Sequence, residues 1–268
     1  MPLLEETWRW YGPSDPVTLD DVKQAGATGI VTALHDCPIG EVWSEEAILS
    51  MKAEIEAKGL RWSVVESIPV HDAIKRGSDP ERSQYITNYA ASIRNLGKCG
   101  INRVCYNFMP VIDWSRTELD REWPDGSRAL AFDIVDLAAF DLHILRRPGS
   151  SADYSAELQS QALARFESMS ESRRVSLSHT VTAGMPGRMV DAVDNVEAFQ
   201  AALDAYRGIG ADALRENLAA FLRRVVPAAE AAGVCVGVLH SGMRAQGCYA
   251  QGMCVGVLRS GRGLRACA

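Results

Sequence analysis

Apolar runs alternate with amphipathic stretches along the first 108 residues, in the order typical of strands followed by helices. Strand-like runs bounded by turn signals or polar residues occupy residues 7–11, 29–34, 61–65 and 101–108. Helix-like stretches occupy residues 15–25, 44–58 and 83–96, the second with Ser44 as N-cap and Gly59 as its C-terminal stop. This repeated order predicts an α/β fold built on a parallel sheet or barrel.

Polar residues at the end of the fourth predicted strand are candidates for a site. Asn107 lies near the end of that strand, and Asp113 and Arg116 follow once Pro110 has stopped it. The active site of an α/β barrel lies at the carboxyl ends of its strands, so residues 103–117 predict a pocket. The alternative is a buried strand followed by an ordinary polar loop.

The pattern loosens after this strand, where turn signals separate short helical pieces. The segment is too long for a plain loop, so we predict a helical insertion over about residues 111–190 within a domain of residues 1–234. The elements expected from there on are helices at 132–145, 155–168, 195–206 and 211–232 and a fifth strand at 234–239.

Composition excludes several classes of function. The chain has 268 residues, 47% of them hydrophobic, and a net charge of −6, which argues against nucleic acid as a partner. We find neither a signal-peptide pattern nor an apolar stretch long enough to span a bilayer, so we expect a cytoplasmic protein without a membrane partner. Seven cysteines without regular spacing indicate free thiols in a reducing compartment.

The chemistry of the chain changes at Cys235. All 34 acidic residues precede it, and residues 235–268 contain four of the seven cysteines. The run Cys-Val-Gly-Val-Leu at residues 235–239 returns at residues 254–258, but two copies do not make a repeat architecture. This tail carries no coherent fold signal, and we interpret it as a frameshifted or otherwise non-native C-terminus.

Several longer runs are more specific than a fold-level pattern. They are Thr7-Trp-Arg-Trp-Tyr-Gly-Pro13, Gln24-Ala-Gly-Ala27, Val31-Thr-Ala-Leu-His35, Gly40-Glu-Val-Trp43, Trp62-Ser-Val-Val-Glu-Ser67, Val104-Cys-Tyr-Asn-Phe-Met-Pro110, Arg146-Arg-Pro-Gly149 and Leu214-Arg-Glu-Asn217. Together these runs resemble the mannonate dehydratase family of hexuronate catabolism, and the likeness extends over about residues 5–234.

The resemblance implies a (β/α)8 TIM barrel of the xylose-isomerase-like type that dehydrates D-mannonate to 2-dehydro-3-deoxy-D-gluconate. An Fe²⁺ or Mn²⁺ ion would hold the substrate oxygens and stabilise the enediolate, and a protein acid would protonate the departing hydroxyl. The residues expected around the sugar acid are Trp10, His35, Glu66 and Asn107, each at or near the end of a predicted strand.

Each of these residues also has a simpler explanation. His35 could be a structural histidine, and Trp10 could pack without forming a wall for the sugar. A carboxylate that ends an apolar run is costly to bury unpaired, so Glu66 should lie in the mouth, where it either binds substrate or orients a neighbour. Asp113 and Arg116 could pair with each other, and Cys105 is expected to be a buried, inert thiol.

The C-terminal part departs from the family pattern. That pattern ends the fifth strand in His-Pro-Asp-Asp, which supplies a metal ligand, and later strands add a Cys, a His and an Asp. Here His240 is the candidate for the first ligand, but it lies one residue further from Gly233 and is followed by Ser241. A slip of one residue in a strand turns the side chain to the opposite face.

Two classes of function therefore remain. The first is a mannonate dehydratase with an altered C-terminus, and the second is a non-catalytic fragment that binds a sugar acid or a partner. A sugar isomerase or epimerase on the same architecture is a weaker third possibility. Because about five of the roughly eight strands of such a barrel are predicted, we also expect open strand edges and self-association into a homo-oligomer.

Overall fold

Parallel strands followed by helices form most of the chain. The structure, a computed structural model, describes residues 4–77, 80–111, 115–183, 195–241, 253–258 and 265–266, with the side chains of residues 238–241 and of the last two segments left aside. The strands are β1 (Thr7–Arg9), β2 (Gly29–Thr32), β3 (Arg61–Glu66), β4 (Arg103–Tyr106), β5 (Glu118–Glu122), β6 (Arg128–Ala131), β7 (Cys235–Ser241), β8 (Met253–Leu258) and β9 (Arg265–Ala266).

Seven of these strands form one sheet in the order β1-β2-β3-β4-β7-β8-β9. The first five in that order are parallel, whereas β8 and β9 are added antiparallel. Within the part of the chain that the structure describes, β1 and β9 are the two edges and do not pair with each other. The fold is thus an incomplete TIM-like barrel, and the predicted fold class is confirmed.

The helices alternate with the strands of the sheet and continue through the insertion. They are α1 (Leu19–Gln24), α2 (Glu45–Ala57), α3 (Asp72–Arg76), α4 (Arg82–Lys98), α5 (Ile134–Ala139), α6 (Ala156–Ser168), α7 (Glu171–Ala183), α8 (Val196–Asp204) and α9 (Ala211–Ala231). A π-helical turn, Phe140–Leu145, follows α5, and a 3-10 turn covers Ser150–Asp153.

Two compact units share these elements. Residues 1–108 and 209–268 form the first unit, which contains the seven-stranded sheet, and residues 109–208 form the second. In the second unit the β5–β6 hairpin accompanies helices α5 to α8, whose apolar faces enclose Phe140 and Phe199 with ring centroids 6.1 Å apart.

The core of the first unit is sealed by the long helix α9. Phe221 of this helix is completely buried, and its ring lies 4.9 Å from that of Tyr89 on α4 and 6.0 Å from that of Tyr106 on β4. Asn217, one turn earlier, donates a hydrogen bond of 2.8 Å from Nδ2 to the carbonyl oxygen of Lys75. Apolar burial and this polar anchor together fix α9 against α3, α4 and β4.

Local capping explains where the predicted bounds hold and where they shift. The Ser44 hydroxyl accepts from the amide of Ala47 at 3.1 Å, so the predicted N-cap of α2 is confirmed. The helix predicted at residues 15–25 begins only at Leu19, because Thr18 and Asp21 form a reciprocal capping box there. The single helix predicted at 132–145 divides into α5 and the π-helical turn.

The tail differs most from its prediction. The sequence carries no fold signal there, yet β8 and β9 continue the sheet in the described parts of residues 235–268. The two copies of Cys-Val-Gly-Val-Leu pair with each other, since Val236 lies opposite Leu258 and Leu239 lies opposite Val255. The prediction of a frameshifted segment is not tested by this pairing and stays a prediction.

In the described residues, no helix combines the length and the apolar character that crossing a bilayer requires.

Replacing Phe221 by Ala should lower the free energy of unfolding by about 3–5 kcal/mol, because it removes a large, completely buried ring and leaves a cavity between α9 and β4. Leu49→Ala, on the exposed face of α2, is the control and should change stability by less than about 0.5 kcal/mol. Urea denaturation followed by circular dichroism measures both. Equal effects of the two changes would contradict the placement of Phe221.

Candidate functional site

Four side chains named from the sequence lie at the carboxyl ends of four neighbouring strands. Trp10 directly follows β1, His35 lies three residues beyond the end of β2, Glu66 is the last residue of β3, and Asn107 directly follows β4. Because β1 to β4 are adjacent and parallel, all four positions lie at one edge of the sheet. The local order of strand and turn therefore brings the predicted site residues to one end of the first unit.

Arg9, the last residue of β1, connects two of these strand ends. Its Nη1 atom lies 3.4 Å from Oε2 of Glu66 and also donates a hydrogen bond to the main-chain carbonyl oxygen of Glu66. The guanidinium carbon lies 5.1 Å from the centre of the Tyr11 ring, within the range of a cation–π contact. Both charged side chains are about three-quarters buried, with 26% and 24% exposed, so their attraction is less screened than that of a surface pair.

Sequence reasoning missed Arg9. A charged residue between Trp8 and Trp10 on a short strand was the available signal, since a lone cation among aromatic residues near a strand end needs a partner. The partner, Glu66, is distant in sequence and could not be named from periodicity.

His35 is half-buried beside the first two strands. Its Nε2 atom lies 3.4 Å from the hydroxyl of Thr32. Burial lowers the pKa of His35 below its ordinary value and the Arg9 guanidinium lowers it further, whereas Asp36 and Asp15 act in the opposite direction. The imidazole is therefore neutral at pH 7 and can both donate and accept a hydrogen bond.

Gly12 leaves the space that the His35 ring fills. Its φ angle is +92°, and a Cβ atom at this position would lie 2.9 Å from Cδ2 of His35. A side chain here would both strain the backbone and displace the imidazole.

The far side of the site is formed by β3 and β4. Asn107 donates from Nδ2 to the hydroxyl of Ser67 at 3.4 Å, which joins the two strand ends. Cys105 lies opposite Glu66 in the strand register, and burial, reinforced by the charge of Glu66, raises the pKa of this thiol to about 12. The prediction that Cys105 is buried is confirmed, and its inertness stays a prediction.

Trp10 presents an unused hydrogen-bond donor. The residue is 3% exposed, its main-chain amide donates to the carbonyl oxygen of Val31 at 3.0 Å, and no described acceptor pairs with its buried Nε1. The buried Nε1 of Trp62, in contrast, donates to the carbonyl oxygen of Val64 at 3.1 Å. A buried donor without a protein acceptor is costly, so the Trp10 indole suits an oxygen from a ligand or a water molecule.

Two further residues, Asp113 and Arg116, were named from the sequence. Asp113 falls outside the described residues, so the suggested Asp113–Arg116 pair is not tested. Arg116 belongs to the second unit, where its Nη1 atom donates to the carbonyl oxygen of Ser115 at 2.9 Å.

The donors of this site do not fit a metal ion. Among the residues that the structure describes, no group of three or more His, Cys, Asp and Glu side chains converges as metal ligands would. Glu66 is engaged by Arg9, and the Cys105 thiol stays protonated at neutral pH. The backbone of His240 lies in β7 opposite Cys254, and its side chain is outside the description, so its predicted metal role is not tested.

The second unit has a charged groove of about 890 Å³. Asp136, 5% exposed at its border, accepts hydrogen bonds from Arg165 and, at 2.8 Å, from Arg173. Arg173 also donates to the carbonyl oxygen of Thr117 at 3.4 Å. These pairs tie α5, α6 and α7 to the start of the hairpin, so the charges stabilise the unit and give no indication of a ligand.

Comparisons with known proteins show the family of this chain. The model of the D-mannonate dehydratase (UxuA) family matches residues 4–241. The chain belongs to the D-mannonate dehydratase family. A mannonate dehydratase of Marinomonas sp. is 51% identical over 235 residues, and one of Chromohalobacter salexigens is 49% identical over the same length. The crystal structure of mannonate dehydratase from Streptococcus suis serotype 2 has a TM-score of 0.63 and 36% identity, covering 88% of this chain and 53% of that chain.

The match covers most of this chain but only part of each relative. It covers 88% of this chain but 59% of each of the two curated dehydratases. The chain thus spans about three-fifths of the length of these relatives. The predicted family is confirmed, while activity and substrate are matters for proposal.

Replacing Gly12 by Ala should destabilise the protein more than the matched change Gly26→Ala. Both glycines have a strained positive φ, +92° and +93°, but only Gly12 lies against His35. Backbone strain should cost about 1–2 kcal/mol at either position, and contact with the imidazole adds to it at residue 12 alone. Urea denaturation measures the free energy of unfolding of each variant, and the NMR signal of His35 reports on the imidazole. Equal losses of stability and equal His35 signals in the two variants would contradict the contact between Gly12 and His35.

Proposed function

We propose that the strand-end site binds D-mannonate and serves its dehydration to 2-dehydro-3-deoxy-D-gluconate, a step of hexuronate (glucuronate) catabolism. The observation that carries this proposal is the convergence of Trp10, His35, Glu66 and Asn107 at one sheet edge in a chain that is 51% identical to a mannonate dehydratase. We further propose a cytoplasmic protein that self-associates, because β1 is an open edge strand of the described sheet.

The side chains suit a polyhydroxylated acid. The neutral imidazole of His35 and the amide of Asn107 can each exchange hydrogen bonds with hydroxyl groups, which are both donors and acceptors. The indole N–H of Trp10 can donate to a sugar oxygen, and its ring offers an apolar wall. The guanidinium of Arg9 is paired with the Glu66 carboxylate, so these two charges largely cancel and the hydrogen-bonding groups dominate the site.

Dehydration needs more than binding. The proton next to the carboxylate must be removed and the departing hydroxyl protonated, so that mannonate yields the keto acid and one water molecule. The family is generally metal-dependent, and we propose Fe²⁺ or Mn²⁺, which would supply Lewis-acid stabilisation of the enediolate. Since the described donors do not fit an ion, we assign no step to it.

A second candidate function is binding of the sugar acid without turnover. It is favoured by the donor set, because the described residues contribute hydrogen-bonding groups at the strand ends but no group of three metal ligands. The two candidates share the binding site and differ only in chemistry.

The decisive experiment combines calorimetry with product analysis. The purified chain is titrated with D-mannonate, with and without added Mn²⁺ or Fe²⁺, and assayed for 2-dehydro-3-deoxy-D-gluconate. Binding with turnover supports the dehydratase, and binding without turnover supports the second candidate. A chain that is folded but does not bind D-mannonate would refute both.

Replacing Trp10 by Phe should weaken D-mannonate binding about tenfold, because the ring is kept while one hydrogen bond to the ligand, worth about 1–1.5 kcal/mol, is lost. Trp62→Phe is the matched control, since that indole already donates within the protein. It should lower stability and leave affinity unchanged. Calorimetry and thermal melts separate the two effects, and equal affinities for both variants would exclude Trp10 as a donor to the ligand.

A further inference from the structure

We propose that Arg9 is the positioning residue of the strand-end site, holding the Glu66 carboxylate and the end of β3 in the arrangement that a ligand meets. The identity of that ligand rests on the function proposed above, whereas the role of Arg9 rests on its contacts. No part of the argument requires Arg9 to touch the ligand.

The contacts of Arg9 join the ends of β1 and β3. Its Nη1 atom engages both the carboxylate and the main-chain carbonyl oxygen of Glu66, so it restrains the side chain and the backbone at the end of β3 together. The ring of Tyr11 lies 5.1 Å from the guanidinium carbon, which limits the movement of the arginine. A guanidinium suits this arrangement, because its flat face can lie over an aromatic ring while one of its nitrogens meets the oxygen atoms of Glu66.

The same charge acts on His35 across the site. The charged groups that act on this imidazole are Arg9 from β1, Asp15 from the following turn and Asp36 beside it in sequence. Arg9 is the positive one, and it opposes protonation that the two carboxylates favour. Of these three charged groups, removal of Arg9 leaves only the two carboxylates, so the surroundings of His35 become more negative.

A second ion pair in the same sheet provides a contrast. Arg61, the first residue of β3, pairs with Glu5 at 2.5 Å close to the start of β1, at the opposite ends of the same two strands. Its side chain is 61% exposed, against 26% for Arg9. If ion pairs merely fasten strands, the two arginines should behave alike, but a positioning role is specific to Arg9.

The experiment compares Arg9→Gln, Arg9→Lys and Arg61→Gln in the full chain. The pKa of His35 is read from NMR titration of the five histidines, with His35→Gln for assignment, and D-mannonate affinity from calorimetry. Arg9→Gln should raise the pKa of His35, because a repelling cation is lost, and should weaken affinity at least about tenfold. Arg61→Gln should change neither. Equal results for Arg9→Gln and Arg61→Gln would overturn the proposal.

Arg9→Lys keeps the charge but not the planar fork. It should leave the pKa of His35 near that of the wild type and still weaken affinity, because the planar group that lies over the Tyr11 ring is lost and the contacts to Glu66 are no longer held in place. Should Arg9→Gln fail to fold, this variant decides: affinity equal to that of the wild type would refute positioning.

A double-mutant cycle separates positioning from direct contact with the ligand. If Arg9 acts through Glu66, Arg9→Gln in a Glu66→Gln background should cost little further affinity. Fully additive losses would show that Arg9 binds the ligand itself and would overturn the positioning role. If the wild type does not bind D-mannonate, the proposed function fails. The titration of His35 still shows whether Arg9 lowers the pKa of this imidazole, and an unchanged pKa in Arg9→Gln would overturn that part of the proposal.

Discussion

The ion pair between Arg9 and Glu66 joins the ends of two strands that are not neighbours in the sheet. The two residues end β1 and β3, which are separated by β2, yet Arg9 Nη1 lies 3.4 Å from Oε2 of Glu66. In a TIM barrel the side chains of one interior layer come from alternate strands, so β1 and β3 share a layer and β2 contributes to the next. The ion pair between the ends of β1 and β3 follows this alternation, and it places two opposite charges together at the strand ends.

The regular part of the fold was predictable because its signals are local. Ser44 begins α2 as its N-cap, and the apolar runs before His35, Glu66 and Asn107 are strands at nearly the expected residues. The β5–β6 hairpin was missed, since its residues, Glu118–Glu122 and Arg128–Ala131, are mostly exposed and charged and lack the apolar alternation of a half-buried strand. Helix α7 was missed for a related reason, because its sequence has little amphipathic character.

The site was predictable as a set of positions but not as a set of interactions. A polar residue that ends an apolar run indicates the active-site edge of a barrel, and this rule placed His35, Glu66 and Asn107 correctly at strand ends. It does not reveal which groups pair across the sheet. The bond of Arg9 to Glu66, the packing of His35 against Gly12 and the unused N–H of Trp10 all depend on residues brought together only by folding.

The tail shows how a repeated strand can end a barrel pattern. A parallel neighbour for β7 would need a crossover of about a dozen residues or more, usually including a helix, and residues 242–252 are too few for one. An antiparallel neighbour needs only a short link, and the second copy of Cys-Val-Gly-Val-Leu has the β-branched residues that suit a strand. β8 therefore occupies the position beside β7 where a complete barrel would place its next parallel strand. The parallel order that assembles the site across β1 to β4 continues as far as β7. The described strand beside it, β8, runs antiparallel, so its carboxyl end lies at the opposite edge of the sheet.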